Sequence, residues 1–396
     1  MSVKLLIYTF DWLPLVGGIQ TMTAALAAGL TSAPEDRGQE TISVTLVTAT
    51  AANGMDDSKF PFRVVRQPSL RQLIREIRSS DIVHVAGPSL RPLLITRILR
   101  KPTVVEHHGY QAICPNGLLL FGRERTMCPG HFMASRYWKC VQCNAGEFGW
   151  FGSVRAMMLT FARRALTKGV RVNIAPSQHI CNRLSLPRTQ VIYHGVAPAE
   201  SMDVPAETVT SPTHFAFVGR LVHEKGADVL LRAAGLVARW GYDFRIKIIG
   251  DGPERARLER MADELEIRGK VEFVGWVAPE GVNGMLSQAT AVVMPSVCED
   301  VAPLVAIEQM MQGRLIIASD IGGLGEIVDG YGLKFPAADA NGLALCMRRV
   351  ISDGALVSET GDRARENASK HYTEQRMIRE HVDIYAREIC GEFPRD

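Results

Sequence analysis

The chain has 396 residues and a mass of 43.5 kDa, more than one ordinary domain holds, and this length predicts two domains, with three as the alternative. Hydrophobic residues make up 46% of the sequence and charged residues 22%, which allows complete cores and excludes an extensively disordered chain. The net charge is +3, yet residues 1–200 carry 23 Lys+Arg against 12 Asp+Glu, whereas residues 201–396 carry 22 against 30. The basic first half suits an anionic partner such as a lipid headgroup, a pyrophosphate-bearing substrate or nucleic acid, with ordinary scatter of surface charge as the alternative.

The start of the sequence shows neither a membrane span nor a secretory signal. The apolar run from Leu5 to Phe10 is broken by Asp11, far short of the roughly 20 residues that a spanning helix needs. It also lacks the basic start and the small-residue cleavage site of a signal peptide. We therefore expect a cytoplasmic protein.

Short apolar strands alternate with amphipathic helices along the chain, which is typical of parallel α/β sheets. In the first half the predicted strands are Val3–Thr9, Val44–Thr48, Phe62–Arg66, Ile82–Ala86, Thr103–Glu106 and Val191–Tyr193. In the second half they are Phe215–Val218, Arg245–Ile249, Val271–Val274, Ala291–Met294 and Leu315–Ala318, with helices near 227–240, 254–266, 280–288 and 303–312 and a terminal helix over 372–390. The Pro-, Ser-, Thr- and Ala-rich segment from Ala197 to Pro212 is the predicted linker. Open α/β sheets bind ligands at the carboxyl ends of their strands, so a cleft between two such sheets is the expected ligand site.

Two pairs of residues at strand-to-helix junctions suit an anionic ligand. Gly17 and Gly18 follow the first strand, where paired glycines let backbone N–H groups approach a phosphate or a sugar, although a plain tight turn has the same sequence. Arg220 leaves the first strand of the second half and Lys225 precedes its helix, a placement that can aim two cations at one diphosphate. Solvated surface charge is the alternative for the second pair.

Two further turns of the second half carry weaker signals. Gly250-Asp251-Gly252 joins a strand to a helix, and we interpret this turn as mainly structural. After the next strand, exposed backbone at Trp276 and Val277 suits the edge of a nucleobase, with a packed tryptophan as the alternative.

The most informative run extends from Met294 to Met310. A strand ends at Pro295, a loop carries Glu299 and Asp300, and a helix begins near Pro303, a residue that suits the first helical position. The first turn of this helix, at Leu304 and Val305, offers free N–H groups for a phosphate. The loop acids suit sugar hydroxyls and Glu308 suits a ribose diol, whereas the alternative is a helix cap with one surface glutamate.

Together these motifs resemble those of the retaining glycosyltransferases of family 4, which have the GT-B fold. The motifs are Gly17-Gly18, Gly219-Arg220…Lys225-Gly226, Gly250-Asp251-Gly252-Pro253, Pro295-Ser296…Asp300…Pro303-Leu304…Glu308 and Gly322-Gly323. The resemblance implies an α/β fold with two Rossmann-like domains that face each other across a cleft and a C-terminal helix that crosses back to the first domain. It also implies a nucleotide-sugar donor in the second domain, an acceptor held by the first, retention at the anomeric carbon and no catalytic metal.

The resemblance also divides the chain and assigns roles by position. An acceptor-binding domain is expected over 1–196, a nucleotide-sugar-binding domain over 197–371, and a crossover helix and tail over 372–396. Arg220 and Lys225 would hold the diphosphate, Glu308 the ribose hydroxyls, and His108 the sugar, with adjacent His107 as the alternative. The paired acids of the family lie eight residues apart, and the residue eight positions before Glu308 is Asp300 where the family has a glutamate. Either Asp300 or the adjacent Glu299 then contacts the donor sugar.

Four of the eight cysteines fall in one Gly- and Pro-containing segment, predicted as a loop over 110–150: Cys114, Cys128, Cys140 and Cys143. A reducing cytoplasm argues against a disulfide scaffold. A Cys-x2-Cys pair with two further cysteines supplies the four soft ligands of a closed structural zinc site. Uncoordinated thiols, another metal or disulfides are the alternatives.

A segment after the cysteines combines aromatic and basic residues. It comprises Phe148-Gly149-Trp150-Phe151 and a helix over Met157–Lys168 that includes Arg163, Arg164 and Lys168. This combination suits a membrane surface or a lipid acceptor, with core packing under a solvated basic face as the alternative.

These observations predict a hexosyltransferase that uses a nucleoside diphosphate sugar, favouring a UDP-sugar such as UDP-glucose, and a polysaccharide or lipid-linked acceptor. The expected partners exclude nucleic acid and include a peripheral contact with the inner membrane face. A nucleotide-sugar epimerase of the same fold and a catalytically silent sugar-nucleotide-binding protein are the alternatives. A nicotinamide-dependent dehydrogenase is disfavoured because no Gly-x-Gly-x-x-Gly follows a strand.

Overall fold

The structure is a computed structural model that describes residues 3–15, 17–32, 41–122, 125–197 and 212–390. The described residues form two compact units, the first from residues up to 122, 128–197 and 373 onward, and the second from 125–127 and 212–372. Each unit contains a parallel sheet with helices, so the predicted α/β fold with two Rossmann-like units is confirmed. Most of the predicted linker, residues 198–211, lies outside the described residues.

The first unit is built on a seven-stranded parallel sheet with the order β3-β2-β1-β4-β5-β8-β9. Its strands are β1 (Val3–Thr9), β2 (Ile42–Thr48), β3 (Arg63–Arg66), β4 (Ile82–Ala86), β5 (Thr103–Glu106), β8 (Val172–Ala175) and β9 (Thr189–Val191). Two short strands, β6 (Leu120–Phe121) and β7 (Thr126–Met127), precede the longest helix. The central strands β4 and β5 are buried along their whole length because helices cover both faces of the sheet.

The helices of the first unit are α1 (Gly18–Thr31), α2 (Leu70–Ser79), α3 (Leu90–Leu99), α4 (Tyr137–Lys168), α5 (Gln178–Leu184) and α13 (Glu374–Cys390). Gly149 interrupts α4 with a left-handed φ of 65°, which kinks the helix. The last helix, α13, packs against α1 and β4, as predicted for a helix that returns to the first unit. Its less polar positions are the ones that are buried: Tyr372 just before the helix, Met377, His381, Ile384 and Tyr385.

The second unit is built on a six-stranded parallel sheet with the order β12-β11-β10-β13-β14-β15. The strands are β10 (Thr213–Val218), β11 (Phe244–Ile249), β12 (Val271–Gly275), β13 (Ala291–Met294), β14 (Leu315–Ser319) and β15 (Leu333–Phe335). The helices are α6 (Ala227–Arg239), α7 (Arg255–Glu264), α8 (Pro279–Met285), α9 (Leu304–Met311), α10 (Gly322–Val328), α11 (Ala340–Ser352) and α12 (Gly354–His371). Apolar side chains from β10, β11, β13 and β14 and from α6 and α11 form one continuous core.

The structure differs from the sequence-based elements at several places. It contains the strands β6, β7, β8 and β15, which we did not predict, and the edge strand β9 lies two residues before the predicted Val191–Tyr193. Pairing with β8 decides that register, since Asn173 lies opposite Thr189. The predicted loop over 110–150 is wrong in its last part, because α4 begins at Tyr137, whose ring packs 4.9 Å from that of Phe161 within the same helix.

Candidate functional site

The polar motifs of the second half lie at one edge of the second sheet. Arg220 follows β10, Asp251 follows β11, Trp276 follows β12, Ser296 follows β13 and Gly322 begins α10 after β14. All these strands are parallel neighbours, so their carboxyl ends share one edge. This is the edge where open α/β sheets bind ligands.

The loop after β10 is fastened to the loop after β13 by a glycine contact. Gly226 has a left-handed φ of 68°, and a Cβ at this position would overlap the carbonyl oxygen of Pro295. Next to it, the Val297 N–H donates to the Glu224 carbonyl at 3.0 Å. Only glycine permits both the backbone conformation and the close approach, so Gly226 sets the position of Lys225 beside it.

The turn after β11 is fastened to the loop after β10 in the same way. A Cβ at Gly250 would overlap the carbonyl oxygen of Gly219, and the Leu221 N–H donates to the Asp251 carbonyl at 2.9 Å. The Asp251 carboxylate accepts from the Gly252 N–H at 2.7 Å. These contacts agree with the mainly structural role expected for this turn.

Asp300 lies at the centre of the polar contacts. One of its carboxylate oxygens accepts from the Lys225 ammonium at 2.7 Å, and the other accepts a short hydrogen bond from the Ser296 hydroxyl. Its own carbonyl accepts from the Gly323 N–H at 2.6 Å, which fastens the acidic loop to the start of α10. The structure therefore brings Asp300 and Lys225 together as an ion pair, and it adds Ser296, whose role we did not predict from the sequence.

The two cations of the site differ in their surroundings. Burial by itself would lower the pKa of Lys225, but the Asp300 carboxylate beside it raises that pKa above the ordinary value for lysine. Lys225 therefore keeps its charge at neutral pH. Arg220 is exposed, and its charge is close enough to act on Lys225 electrostatically. The pair presents two positive charges at this edge.

Glu308 lies in the second turn of α9 and differs from Asp300 in having no side-chain partner among the described residues. Its side chain is half-buried, and burial raises the pKa of its carboxyl group. Across the part of the chain that the structure describes, no hydrogen bond or ion pair joins this carboxylate to another side chain. A half-buried carboxylate without a partner is available to ligand hydroxyls.

The N-terminus of α9 has no side-chain cap. Pro303 lies one residue before the first helical residue, Leu304, rather than at the first helical position as expected. No side chain caps this end of the helix, so the first-turn N–H groups at Leu304 and Val305 stay available to an anion.

Trp276 and Val277 follow β12 with little burial. The Trp276 side chain is 65% exposed and Val277 is half-buried, so the packed-tryptophan alternative is wrong.

In the first unit, Gly17 and Gly18 lie where the first strand meets the first helix, and α1 begins at Gly18. His108 follows β5, and its Nε2 lies 3.6 Å from Oε2 of Glu106. Burial lowers the pKa of His108 to about 4, so its ring is neutral at neutral pH. Adjacent His107 is fully buried with its Nε2 2.9 Å from Oδ1 of Asn173, which makes it a core residue.

The four cysteines of the predicted zinc site come close to one another in the first unit. Burial, followed by the charges of Cys114, Cys128 and Cys143, raises the pKa of Cys140 to about 12. The Cys143 thiol accepts from the Gly122 N–H at 3.2 Å. Among the described residues, the groups of three metal-ligating side chains with ligand atoms within 4.8 Å of one another centre on Glu106, and none contains a cysteine.

The helix α4 exposes several large apolar side chains around its kink. They are Trp138, Phe148, Trp150, Phe151, Val154 and Met158, and Phe151 is 94% exposed. The rings of Trp138 and Trp150 stack with centroids 5.4 Å apart. The basic residues behave differently, because Arg164 donates to the Leu184 carbonyl at 2.9 Å and Arg163 is half-buried. Lys168 is exposed. In the described residues, no helix is long and apolar enough to cross a membrane.

Residues 202–371 match the family model described as "Glycosyl transferases group 1". An uncharacterized glycosyltransferase of Methanocaldococcus jannaschii is 27% identical over 239 residues, which cover 56% of this chain and 61% of that protein. The chain thus spans about three-fifths of the length of that relative. The alpha-D-kanosaminyltransferase of Streptomyces kanamyceticus is 27% identical over 307 residues, which cover 76% of this chain and 74% of the relative.

Solved structures resemble the whole chain. The sucrose-phosphate synthase from Thermosynechococcus elongatus has a TM-score of 0.72 at 18% identity and covers 98% of this chain and 100% of its own. The Anabaena protein HepE, solved in complex with UDP and glucose, has a TM-score of 0.70 at 15% identity over 97% of this chain and 99% of its own. At these identities the likeness shows the fold alone, and it confirms the GT-B fold class that the motifs predicted. The family model and both relatives describe glycosyltransferases.

Proposed function

We propose that this protein is a retaining hexosyltransferase of family 4. It moves a hexose from a nucleoside diphosphate sugar to a polysaccharide or lipid-linked acceptor. A UDP-sugar is the first candidate for the donor. The second unit binds the donor and the first unit binds the acceptor. The support comes from the residues at the carboxyl edge of the second sheet and from the match of residues 202–371 to a glycosyltransferase family model.

The observation that carries the proposal is the contrast between two acids on one segment. Asp300 is paired with Lys225 at 2.7 Å, whereas Glu308, eight residues later, is half-buried without a side-chain partner in the part of the chain that the structure describes. A carboxylate accepts hydrogen bonds from vicinal hydroxyls, which a ribose presents as a pair. Glu308 therefore binds the ribose, and the uncapped N-terminus of α9, four residues earlier, binds phosphate.

Charge stabilisation drives the proposed reaction. When the bond between the anomeric carbon and the diphosphate breaks, negative charge develops on the departing diphosphate. Arg220, Lys225 and the N–H groups at the start of α9 stabilise that charge. The acceptor hydroxyl attacks from the same face and passes its proton to the departing diphosphate oxygen. As Lys225 engages the diphosphate, Asp300 loses part of its ion pair and becomes available to the donor sugar, with Glu299 beside it. We assign His108 the role of the sugar-contacting histidine.

The first experiment is a thermal-shift screen with UDP, GDP and ADP and their sugars. A nucleotide present at about 100 times its Kd stabilises the folded protein by about 2.7 kcal/mol. We expect UDP and UDP-glucose to raise the melting temperature of the wild type and to have a much smaller effect on Glu308→Gln. Product analysis with the active donor then establishes the anomeric configuration. The absence of any shift with all three nucleotides would remove the proposal.

We also propose that the exposed aromatic side chains of α4 contact a membrane surface or a lipid-linked acceptor. Trp150 and Phe151 are the anchors, and exposed Arg155 on the following turn faces anionic headgroups. Burying part of one large apolar side chain contributes about 1 kcal/mol, so Phe151→Ser should weaken binding to anionic vesicles about fivefold.

The matched control for the membrane surface is Arg164→Glu. Because Arg164 binds the Leu184 carbonyl, this change should lower stability more than it lowers vesicle binding. Equal vesicle binding by the wild type and Phe151→Ser would contradict the proposed surface.

We propose in addition that Cys114, Cys128, Cys140 and Cys143 bind one structural zinc ion. Zinc would draw the four sulfur atoms to about 2.3 Å from the metal and deprotonate the thiols. Burial raises the pKa values of two of these thiols, Cys114 and Cys140. Freshly prepared protein should contain zinc that is lost on Cys140→Ser with Cys143→Ser. The control is Cys346→Ser, a cysteine of the second unit, which should leave the metal content unchanged. Wild-type protein without sulfur-bound zinc would contradict this site.

A further inference from the structure

A buried carboxylate in the first sheet faces four histidine rings. Glu106 is 4% exposed. Its oxygens lie 3.2 Å from Nε2 of His84, 3.6 Å from Nε2 of His108, 3.7 Å from Nε2 of His194 and 3.8 Å from Nε2 of His381. Neither the donor site of the second unit nor the cysteine cluster uses this carboxylate.

The fold explains how these residues meet. His84 is the middle residue of β4 and Glu106 is the last residue of β5, and the register of the two strands places Ala86 opposite Glu106. Because side chains two residues apart share a face of a strand, His84 and Glu106 project from the same face of the sheet. The last helix, α13, packs on β4 and supplies His381.

No permanent cation neutralises Glu106. Within the described ranges, its ion pairs are those with the histidines, and no Lys or Arg joins them. An ionised carboxylate in the protein interior is costly unless a charged group or a metal ion compensates it.

The hydrogen bond of the His381 ring leaves a nitrogen lone pair aimed at this carboxylate. Nδ1 of His381 lies 2.9 Å from the Met377 carbonyl oxygen, which only accepts, so Nδ1 carries the hydrogen. In the neutral ring Nε2 is then unprotonated, and it faces Oε2 of Glu106 with no hydrogen-bond partner. Two acceptors that face each other in the interior require an electropositive group between them.

We propose that His84, His381 and Glu106 form a binding site for a divalent transition-metal ion, with Zn²⁺ as the first candidate. The ligand atoms are Nε2 of each histidine and a carboxylate oxygen, and all three lie within 4.8 Å of one another. Two imidazoles and one carboxylate are a ligand set that proteins use for zinc and for non-haem iron. Because His381 belongs to α13, the ion joins the last helix to the sheet of the first unit.

The second layer of hydrogen bonds selects this group over its neighbour. Metal-binding histidines usually donate their other N–H to a fixed acceptor, and here the Met377 carbonyl and the Tyr385 hydroxyl, 2.8 Å from Nδ1 of His84, take those positions. His108 and His194 also lie near Glu106, but both nitrogens of each ring have no hydrogen-bond partner. Their rings therefore have no such orienting contacts.

Cobalt spectroscopy and zinc titration test the site without an activity assay. Full-length protein is freed of metal with a chelator and titrated with Co²⁺. A thiolate-bound Co²⁺ ion shows a sulfur-to-metal charge-transfer absorption band, and an ion bound only by nitrogen and oxygen does not. Zn²⁺ is then measured by competition. We expect the wild type to bind one ion without thiolate ligands, and His381→Gln to lose that ion. Tyr385→Phe should weaken Zn²⁺ binding about 10- to 100-fold.

The matched control is His107→Gln, which removes an equally buried histidine of the same segment that bonds Asn173 and not Glu106. It should keep the Co²⁺ spectrum of the wild type. If the variants fail to fold, X-ray absorption of the wild type loaded with Zn²⁺ decides the matter through the imidazole signature of its nitrogen ligands.

A wild type that binds no Co²⁺ or Zn²⁺, or that binds them only through sulfur, overturns the proposal. An imidazolium paired with Glu106 would then be the compensating charge. Retention of the histidine-bound ion in folded His381→Gln likewise overturns the ligand set.

Discussion

Asp300 in the second unit and Glu106 in the first are both carboxylates beside the end of a parallel strand, but they are neutralised in different ways. Asp300 is partly exposed, and it has a lysine at 2.7 Å and a serine hydroxyl. Glu106 is buried among imidazoles and has no lysine or arginine partner in the described chain. A partly exposed carboxylate at the edge where ligands bind can release its lysine partner and accept hydrogen bonds from a ligand instead. A buried carboxylate needs a compensating charge that remains bound to it.

The two regions also differ in how their backbone is held. The loops of the second unit are fastened to one another by main-chain hydrogen bonds and by glycine contacts, such as Gly226 against Pro295. The Glu106 cluster depends instead on side chains from two strands and one helix. The carboxyl edge of the second sheet, the donor edge, should therefore keep its shape without its ligand. The positions of the side chains in the Glu106 cluster should depend on the ion that binds there.

The largest effect is expected from removing the charge at Asp300. A hydrogen bond to a charged group contributes about 1.5–3 kcal/mol, so Asp300→Ala should lower turnover about 10- to 150-fold, with little change in UDP affinity. Steady-state kinetics and UDP binding measure the two effects separately. Glu299→Ala is the control and should be mild. The opposite ranking of positions 299 and 300 would show that the register of the acids is wrong by one residue.

A smaller effect is expected from adding one methyl group at Gly226. Gly226→Ala forces the Pro295 carbonyl or the loop to move, and overpacking of this kind costs about 1–3 kcal/mol. Gly241→Ala is a matched control, because Gly241 also has a left-handed φ, of 83°, but no atom within 4 Å of an added Cβ. Chemical denaturation of both variants isolates the close contact from the backbone strain. Equal destabilisation by the two would show that the loops are not held by this contact.

The smallest effect is a pH-dependent gain in stability for Glu308→Gln. Burial raises the folded-state pKa of Glu308 above its unfolded value, so the ionised group costs stability once the pH exceeds the folded-state pKa. The cost disappears as the pH falls below the unfolded pKa. Glu308→Gln should therefore raise the melting temperature slightly at neutral and alkaline pH and not at acid pH. The same gain at every pH would contradict a cost that comes from ionisation.

Much of the donor edge was predictable because its signals are local. Gly219-Arg220, Gly250-Asp251-Gly252 and Gly322-Gly323 each adjoin a strand that hydrophobicity marks, and parallel strands necessarily bring their carboxyl ends together. The pairing of Lys225 with Asp300 was not predictable, because it joins residues 75 positions apart through the shape of two loops. Ser296 gave no signal beyond its place in the motif.

One residue of the Glu106 cluster is visible as unusual in the sequence. His84 is a polar residue inside the otherwise apolar run Ile82–Ala86, and a buried polar residue in a central strand requires a partner. The partner could not be named, since His381 lies almost 300 residues later on a helix whose packing partner the sequence does not specify.

The amino-acid sequence by itself determined most of the strands and helices, their parallel arrangement and the loops that carry the polar motifs, because these follow from local hydrophobic periodicity and from glycine and proline at the turns. Only the tertiary structure decided the edge register of β9, the start of α4, the ion pair of Asp300 and the meeting of His84, Glu106 and His381. Each of these depends on packing between segments far apart in the chain, where the free energy of burial and pairing outweighs the preferences of any single segment.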